Sequence, residues 1–347
     1  MKILIVDVLS PKGHVNYNKG LIRVLEKGGH MVTFVGQKNL VEALPRSEER
    51  VFRIIPDDCF IDYSKTLPNN FFRPLVWRIR LIRWIIRNKK DFDKYDYVLF
   101  SSSEPFVISL CSIYLKTRHG FVDHGIGKIG ESPLYRYSYK YLLNKSTDIW
   151  VLEEYIAEYV KDVLKRKVKV MYHPVFTSDV YAVTKNTHND NIVLFAPSGG
   201  NDEAFINYLK IASESLPDNY KIIIKGRGME YEDEKVKVYS NHLSNEQYYR
   251  YINESAAILI PYESSYNYRT SAVFFEAMAA QKPVLIWDNN TLVQFASKFP
   301  KVSFLFHEIC EIPNIMSRIG NIDSSSYKEI LEYYSDENIL KQFESYE

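Results

Sequence analysis

The chain has 347 residues, more than one ordinary core organises and suited to two α/β domains. Apolar residues make up 46% and charged residues 25%, which excludes a disordered chain, and 44 Lys and Arg against 43 Asp and Glu give no bulk charge for a nucleic-acid partner. Three cysteines, Cys59, Cys111 and Cys310, lie far apart without a CxxC pair and read as buried thiols of a reducing cytoplasm, with no zinc site.

The first expected element is an apolar strand over 3–8. No basic segment followed by a long apolar stretch precedes it, so no secretory signal is expected. The loop Pro11-Lys12-Gly13-His14-Val15 comes next. Gly13 allows the backbone to approach a phosphate or sugar closely. His14, with an imidazole that titrates near neutrality, is a candidate base; the alternative is that it only caps the next helix. The pattern is not GxGxxG, which argues against a dinucleotide. A helix over 17–27 ends at Gly28-Gly29, and a strand follows at 31–35. His30 between them reads as a turn residue.

Residues 73–90 hold five arginines, two lysines and two tryptophans. On a helix, Arg80, Arg83 and Arg87 share one stripe beside Trp77 and Trp84. Two readings are open. One is a helix lying in a membrane interface with its arginines on phosphates; the other is a core helix with one solvated stripe. The density of cations favours the first.

Further strands are expected at 97–100, 120–122 and 149–152. The apolar stretch from Tyr97 to Leu115 is broken by Ser101-Ser102-Ser103-Glu104-Pro105, so it reads as strand, loop and helix rather than a membrane span. In Phe121-Val122-Asp123-His124-Gly125-Ile126-Gly127-Lys128, a carboxylate and an imidazole sit with two glycines in a loop after a buried strand. That suits a reaction centre, while one Asp-His pair is too little for a metal site.

Residues 173–190 carry Pro174 and several Ser, Thr and Asn, and read as a linker between a first domain (1–172) and a second (191–325). The strand–helix rhythm then resumes. Strands are expected at 191–196, 220–225, 236–239, 256–260 and 283–287, and helices at 202–215, 245–253 and 271–280. A terminal helix covers about 326–346. Two parallel sheets covered by helices follow, with ligands expected at the carboxyl ends of the strands.

Several groups of the second half stand at such ends. Ser198 and the pair Gly199-Gly200 form either a phosphate-facing loop or a tight turn. Lys225 and Arg227 are two cations suited to two phosphates. The strongest segment runs from Pro261 to Ile286. A strand ends, a polar loop follows, and a helix starts at Thr270, Ser271 and Ala272, where free amides and a hydroxyl offer a diphosphate site. Arg269 precedes that start and can pair with a phosphate oxygen. Glu276, a turn and a half in, can accept hydrogen bonds from ribose hydroxyls. The plainer alternative is that Thr270 caps the helix and Glu276 faces solvent.

This segment, with its Glu276-Ala277-Met278-Ala279 and the apolar strand after Pro283, resembles the donor motif of GT-B glycosyltransferases, family 4 and its relatives in particular. Lys225-Gly226-Arg227-Gly228, His242-Leu243-Ser244 and the opening Gly13-His14 and Gly29-His30 turns are similar to the family's in order and type. One position departs: Tyr268 stands eight residues before Glu276, where family members carry another glutamate, and Glu263 is a stand-in only with a different loop. The resemblance implies a GT-B fold of two Rossmann-like doubly wound domains facing across a cleft, acceptor domain first and donor domain second, with the terminal helix crossing back. It implies a metal-independent transfer of sugar from a nucleotide diphosphate sugar, a UDP- or GDP-sugar, with no other cofactor. The site residues it implies are His14, Asp123 and His124 for catalysis, and Gly13, Ser198, Gly199, Lys225, Arg227, His242, Leu243, Arg269, Thr270, Ser271, Ala272 and Glu276 for the donor.

With the basic helix, the expected acceptor is a glycan or lipid-linked glycan of cell-surface synthesis. The enzyme is then cytoplasmic and peripheral on an anionic membrane. Retention or inversion of configuration stays open. Two other readings remain: a nucleotide-sugar epimerase on the same scaffold, and a non-catalytic GT-B-like partner subunit.

Overall fold

The computed structural model describes residues 1–8, 14–44, 51–60, 72–175, 191–197, 203–226, 229–240, 243–263, 266–288, 290–320 and 322–345. The chain forms two compact units, one of residues 1–174 and 336–347 and the other of residues 175–335.

The first unit begins with β1 (Lys2–Asp7), α1 (Val15–Lys27), β2 (Met31–Gly36), α2 (Lys38–Ala43) and β3 (Val51–Ile54). The long helix α3 (Phe72–Phe92) leads to β4 (Tyr97–Ser102), α4 (Pro105–Ser112) and β5 (His119–Val122). Two short helices, α5 (Lys128–Glu131) and α6 (Pro133–Tyr137), precede β6 (Asp148–Val151), α7 (Glu154–Leu164) and β7 (Lys169–Val170). Among the described residues the sheet has seven strands in the order β3-β2-β1-β4-β5-β6-β7. Every pairing in it is parallel. Unbroken apolar runs cause this: Ile3 to Val6 and Tyr97 to Phe100 are all buried, as strands covered on both faces must be.

The second unit runs β8 (Ile192–Ala196), α8 (Glu203–Ala212), β9 (Tyr220–Lys225), β10 (Tyr231–Glu232), β11 (Val236–Tyr239), α9 (Asn245–Glu254), β12 (Ala257–Ile260), α10 (Ala272–Ala279), β13 (Val284–Trp287), α11 (Val293–Lys298), β14 (Ser303–Phe306), α12 (Ile312–Ile319) and α13 (Ser324–Tyr333). Its strand order is β10-β11-β9-β8-β12-β13-β14, with only the β10–β11 pair antiparallel among the described residues.

In each sheet the chain winds outward on one side of the first strand and then returns to the other. The order reverses between β1 and β4 in the first unit and between β8 and β12 in the second. Open α/β sheets form their binding crevices at such points, outside the carboxyl ends.

The terminal segment, expected as one helix, is two. Tyr334 is buried against Phe275 and Phe299 and closes α13 within the second unit. α14 (Asp336–Glu344) then belongs to the first unit. Arg23 grips Asp336 with both prongs at 2.9 and 2.8 Å, and Lys27 adds a contact at 2.8 Å. Burial alone would raise the Asp336 carboxyl, but these two cations hold it below the ordinary carboxylate range. Phe343 stacks on Trp150 at 5.5 Å and meets the edges of Tyr97 and His30. His30 is thus a buried joint beneath α14. Gly120 completes this region: a Cβ there would lie 2.3 Å from the Tyr97 hydroxyl and 2.9 Å from the Asp148 carbonyl.

Two expectations need correction. Trp77 is a core residue, 6% exposed, on the inner face of α3 with Leu81 and Ile85, so it cannot meet a membrane. Cys310 is exposed, because its short helical turn directs the neighbouring Ile309 inward instead. No helix among the described residues is long and apolar enough to cross a membrane.

Truncating Phe343 to Ala should destabilise the first unit by about 3–5 kcal/mol, the cost of a buried aromatic cavity. Urea denaturation followed by Trp150 fluorescence measures it; a loss under about 1 kcal/mol would mean that α14 is not part of this core.

Candidate functional site

The first unit gathers its polar side chains where the strand order reverses. The β1–β4 register slips at this end: Val6 pairs with Phe100, but Asp7 pairs with Ser102. Ser101 is the extra residue, a bulge of the kind that re-aims groups beside functional sites. Its carbonyl accepts a hydrogen bond from His124 Nε2 at 2.9 Å.

His14 occupies the N-cap position of α1, yet its side chain makes no capping bond. The imidazole turns instead to His124, with ring centroids 4.3 Å apart, and its Nδ1 lies 3.9 Å from Asp7 Oδ2. Asp7 is fully buried and accepts from Asn18 Nδ2 at 2.7 Å. Tyr17 lies edge-on to His124 at 4.9 Å and packs against His173 at 5.1 Å. The structure therefore brings the two expected histidines together and adds Asp7, Tyr17, Asn18 and His173.

Burial first, and mutual repulsion second, push the three rings down: His14 to about 4, His124 and His173 to about 3. His14 keeps 27% of its side-chain surface exposed, and water at that edge moderates its burial penalty. All three are neutral near pH 7. Each neutral ring donates one hydrogen and accepts at the other nitrogen. His124 donates from Nε2 to Ser101, leaving Nδ1 as acceptor, while His173 donates from Nδ1 to the Pro174 carbonyl at 2.9 Å. Burial raises the Tyr17 phenol, so it remains a donor.

Asp123 has a different place. Its Oδ1 accepts from the Gly125 amide at 2.7 Å and its Oδ2 from the Tyr139 hydroxyl. The carboxylate shapes the loop that carries His124.

In the second unit the reversal point holds the loop from β12 to α10. Ser271 caps α10 by position, but its hydroxyl points inward to Tyr262 at 3.4 Å, and no side chain caps the helix start. Ala272 is exposed at the first turn. The Arg269 guanidinium lies over the Tyr266 ring at 5.4 Å. Thr270 Oγ1 is buried without a hydrogen-bond partner among the described residues. Glu276 is half-buried and accepts from the Tyr248 hydroxyl. Tyr268 sits at φ +54, and its amide donates to Thr291 Oγ1 at 2.7 Å, while Asn267 Oδ1 accepts from the Thr291 amide at 2.9 Å. These bonds fix the turn before Arg269. Lys225 ends β9, and Leu243 precedes the capping box of Ser244 and Gln247 at the start of α9. Gly13, Ser198, Gly199, Gly200, Arg227, Gly228 and His242 lie outside the described residues.

The residues missed in sequence had weak signals. Asp7 ends an apolar strand, where a buried carboxylate is out of character. Tyr17 and Asn18 fall on the apolar side of α1, and His173 is the first residue of the expected linker. Among the described residues, no cluster of His, Cys, Asp and Glu could hold a metal ion.

The buried histidines give folding a definite pH dependence. A folded-state pKa below the unfolded value of about 6.5 means that the unfolded chain takes up protons first. Stability is therefore complete above that value and is lost as pH falls through it, until the folded rings titrate. Each ring contributes up to about 2 kcal/mol of loss between pH 7 and pH 5. His173→Gln should flatten this dependence in urea titrations at pH 7, 6 and 5. Parallel curves for the two proteins would show that His173 titrates normally in the folded state.

No protein-family model and no curated protein matches the chain in sequence. Solved structures do match in fold. Sucrose-phosphate synthase from Thermosynechococcus elongatus aligns with a TM-score of 0.71 at 11% identity, over 100% of this chain and 98% of that one. A glycosyltransferase from Rickettsia africae gives 0.68 at 14%, over 99% and 97%. HepE from Anabaena in complex with UDP gives 0.65 at 14%, over 100% and 99%. At such identities the likeness speaks for the fold: this chain has the GT-B architecture of two Rossmann-like α/β units, matched along its whole length.

Proposed function

We propose that the chain is a glycosyltransferase that binds a nucleotide diphosphate sugar on its second unit and an acceptor hydroxyl on its first. The observation that carries this reading is the start of α10 at the β8/β12 reversal point. It has no side-chain cap, follows directly on Arg269, and has Glu276 a turn and a half in. Helix-start amides and a guanidinium suit a diphosphate, and a half-buried carboxylate suits ribose hydroxyls. Of similar folds, HepE has been solved with UDP and with UDP-glucose. Fold alone does not assign chemistry, so the reading leans on these side chains.

In the proposed reaction the acceptor oxygen forms a bond to the sugar's anomeric carbon as the bond from that carbon to the diphosphate breaks. The nucleoside diphosphate leaves with the electron pair. Arg269, Lys225 and the α10 amides meet the charge that grows on it, without a metal. The hydroxyl proton passes to a neutral imidazole, His14 or His124. Asp123 and Tyr139 hold the His124 loop.

We further propose a glycan or lipid-linked acceptor and a peripheral site of action on the cytoplasmic face of an anionic membrane. The outer face of α3 supports this. Leu75, Val76 and Ile79 are 45%, 46% and 40% exposed, beside exposed Arg80, Arg83, Arg87 and Lys90. Trp84 is half-buried against Phe92. Apolar residues flanked by cations suit an interfacial helix.

A thermal-shift screen with UDP, GDP, CDP and dTDP tests the donor site; a bound nucleotide at a hundredfold excess over its Kd adds about 2.7 kcal/mol. Arg269→Ala and Glu276→Ala should each weaken binding by about 1.5–3 kcal/mol while the protein stays folded. Wild-type affinity in both would remove the donor site from this loop, and turnover without acceptor would point to an epimerase. Liposome co-sedimentation should require anionic lipid, with about 1 kcal/mol lost per arginine in Arg80→Gln, Arg83→Gln and Arg87→Gln. Protein left in the supernatant at low salt would make α3 a purely structural helix.

A further inference from the structure

The second sheet ends in β14, which among the described residues pairs with β13 alone. The carbonyls of Val302 and Phe306 accept from the Val284 and Asp288 amides at 2.8 and 3.0 Å, so these residues turn their backbone groups to β13. Backbone groups alternate along a strand, and those of Ser303 and Leu305 therefore face outward. The two flanks of this edge are closed. The Ser303 amide donates to the Phe299 carbonyl at 3.1 Å, the His307 amide donates to Glu311 Oε2 at 2.9 Å, and the His307 carbonyl accepts from Trp287 Nε1 at 3.1 Å. The middle is open: the amide and carbonyl of Leu305 make no hydrogen bond among the described residues. Its side chain is 37% exposed. No lysine, proline or bulge interrupts the run from Val302 to Phe306, although such devices usually blunt a free edge.

A groove of about 380 Å³ runs beside this edge between α11 and α12, lined by Ser297 of the first helix, Ser303 and Leu305 of the strand, and Ile315 and Arg318 of the second helix. Glu311 at the N-cap of α12, Ile315 and Arg318 share one stripe of that helix, at i, i+4 and i+7. Glu311 is bonded at the carboxyl end of the strand, to His307, while Arg318 meets the groove with Ser303 at the strand's start. Arg318 is exposed and makes no ion pair among the described residues.

We propose that β14 is a dimerisation edge, occupied by β14 of a second copy of this chain in antiparallel register centred on Leu305. A two-fold axis there makes Leu305 its own partner. Each Leu305 amide donates to the other copy's Leu305 carbonyl, and the two exposed leucines cover each other. The same axis lays the two α12 helices antiparallel, with Ile315 at the centre and each Arg318 toward the partner's Glu311. The patch is thus complementary to itself in hydrogen bonds, apolar contact and charge, as a two-fold interface requires. An extended peptide of another protein fits less well, because the engaged amides of Ser303 and His307 leave a longer strand only the middle of the edge. The pairing does not depend on the glycosyltransferase reading.

Sedimentation equilibrium of the full chain tests it. The wild-type chain should be a dimer at micromolar concentration. Leu305→Pro removes only an outward amide and spares the β13 ladder, so it should weaken dimerisation at least about tenfold while the circular-dichroism spectrum stays the same. Arg318→Glu, on the surface of α12, should weaken it as well, and adding Glu311→Arg should recover most of the loss. In a Cys310→Ser background, Leu305→Cys should form an intermolecular disulfide on oxidation, since facing residues of such a pair lie about 5.5 Å apart at Cα, within reach of the bond. A wild-type chain that stays monomeric up to about 100 μM would overturn the proposal and leave the edge to a peptide of another protein. A dimer that Leu305→Pro and Arg318→Glu both leave intact would place the interface elsewhere and overturn it equally.

Discussion

A parallel sheet covered by helices on both faces has no room for polar side chains along its strands. Ile3 to Val6, Tyr97 to Phe100 and Ala257 to Ile260 obey this: each run is buried and apolar. Polar chemistry is then confined to the strand ends, and the reversal of strand order selects which ends. Open α/β sheets form their binding crevices where the strand order reverses, as it does here between β1 and β4. Asp7, the serine run and His124 stand there because of this constraint, and the loop before α10 occupies the equivalent point of the second sheet.

Burial sets the chemistry of the first reversal point. Outside a protein the imidazoles of His14, His124 and His173 would be partly protonated near neutrality. Packed together, each makes the others' charge more costly, and lost water makes all of it costlier still. The outcome is a neutral, hydrogen-bonding surface in which backbone carbonyls choose the tautomers of His124 and His173. The bulge at Ser101 is part of the same device, since it frees the carbonyl that His124 uses. In the second unit charge is treated differently. Arg269 is laid on an aromatic face and Glu276 is held by a tyrosine, so both are ordered ahead of any ligand.

Much of this was legible along the chain. The apolar runs and the 3.6-residue periodicity place the central strands β1, β2, β4, β5, β6, β8, β9, β11, β12 and β13 and the helices α1, α9 and α10 within a residue or two, because burial on both faces leaves few sequence solutions; the outer and shorter elements, among them α2, β3, α7, β14 and α12, are not among the expected ones. His14, His124, Arg269 and Glu276 can be singled out because each lies just past a strand or at a helix start. The Pro261–Ile286 segment carries local chemistry, a strand, a polar loop and a helix start in succession, and local chemistry survives in sequence order.

The rest depends on distance through space. Nothing in the sequence puts His173 against Tyr17, which stand far apart along the chain, and nothing in an Asp-His dipeptide tells that Asp123 turns to Tyr139 while His124 turns to His14. The two faces of α3 illustrate the same division. Its sequence determines an amphipathic basic helix, but Trp77, Arg80 and Ile79 are all compatible with either face until the sheet is in place; packing then buries Trp77 and exposes the other two. The sequence by itself determined the central elements of both sheets, their order and the strand-end residues, since these follow from local periodicity and turn chemistry. Only the tertiary structure decided which of those residues meet, which are neutral and which polar atoms are left unpaired, because burial and electrostatic environment belong to the packed chain and not to any stretch of it.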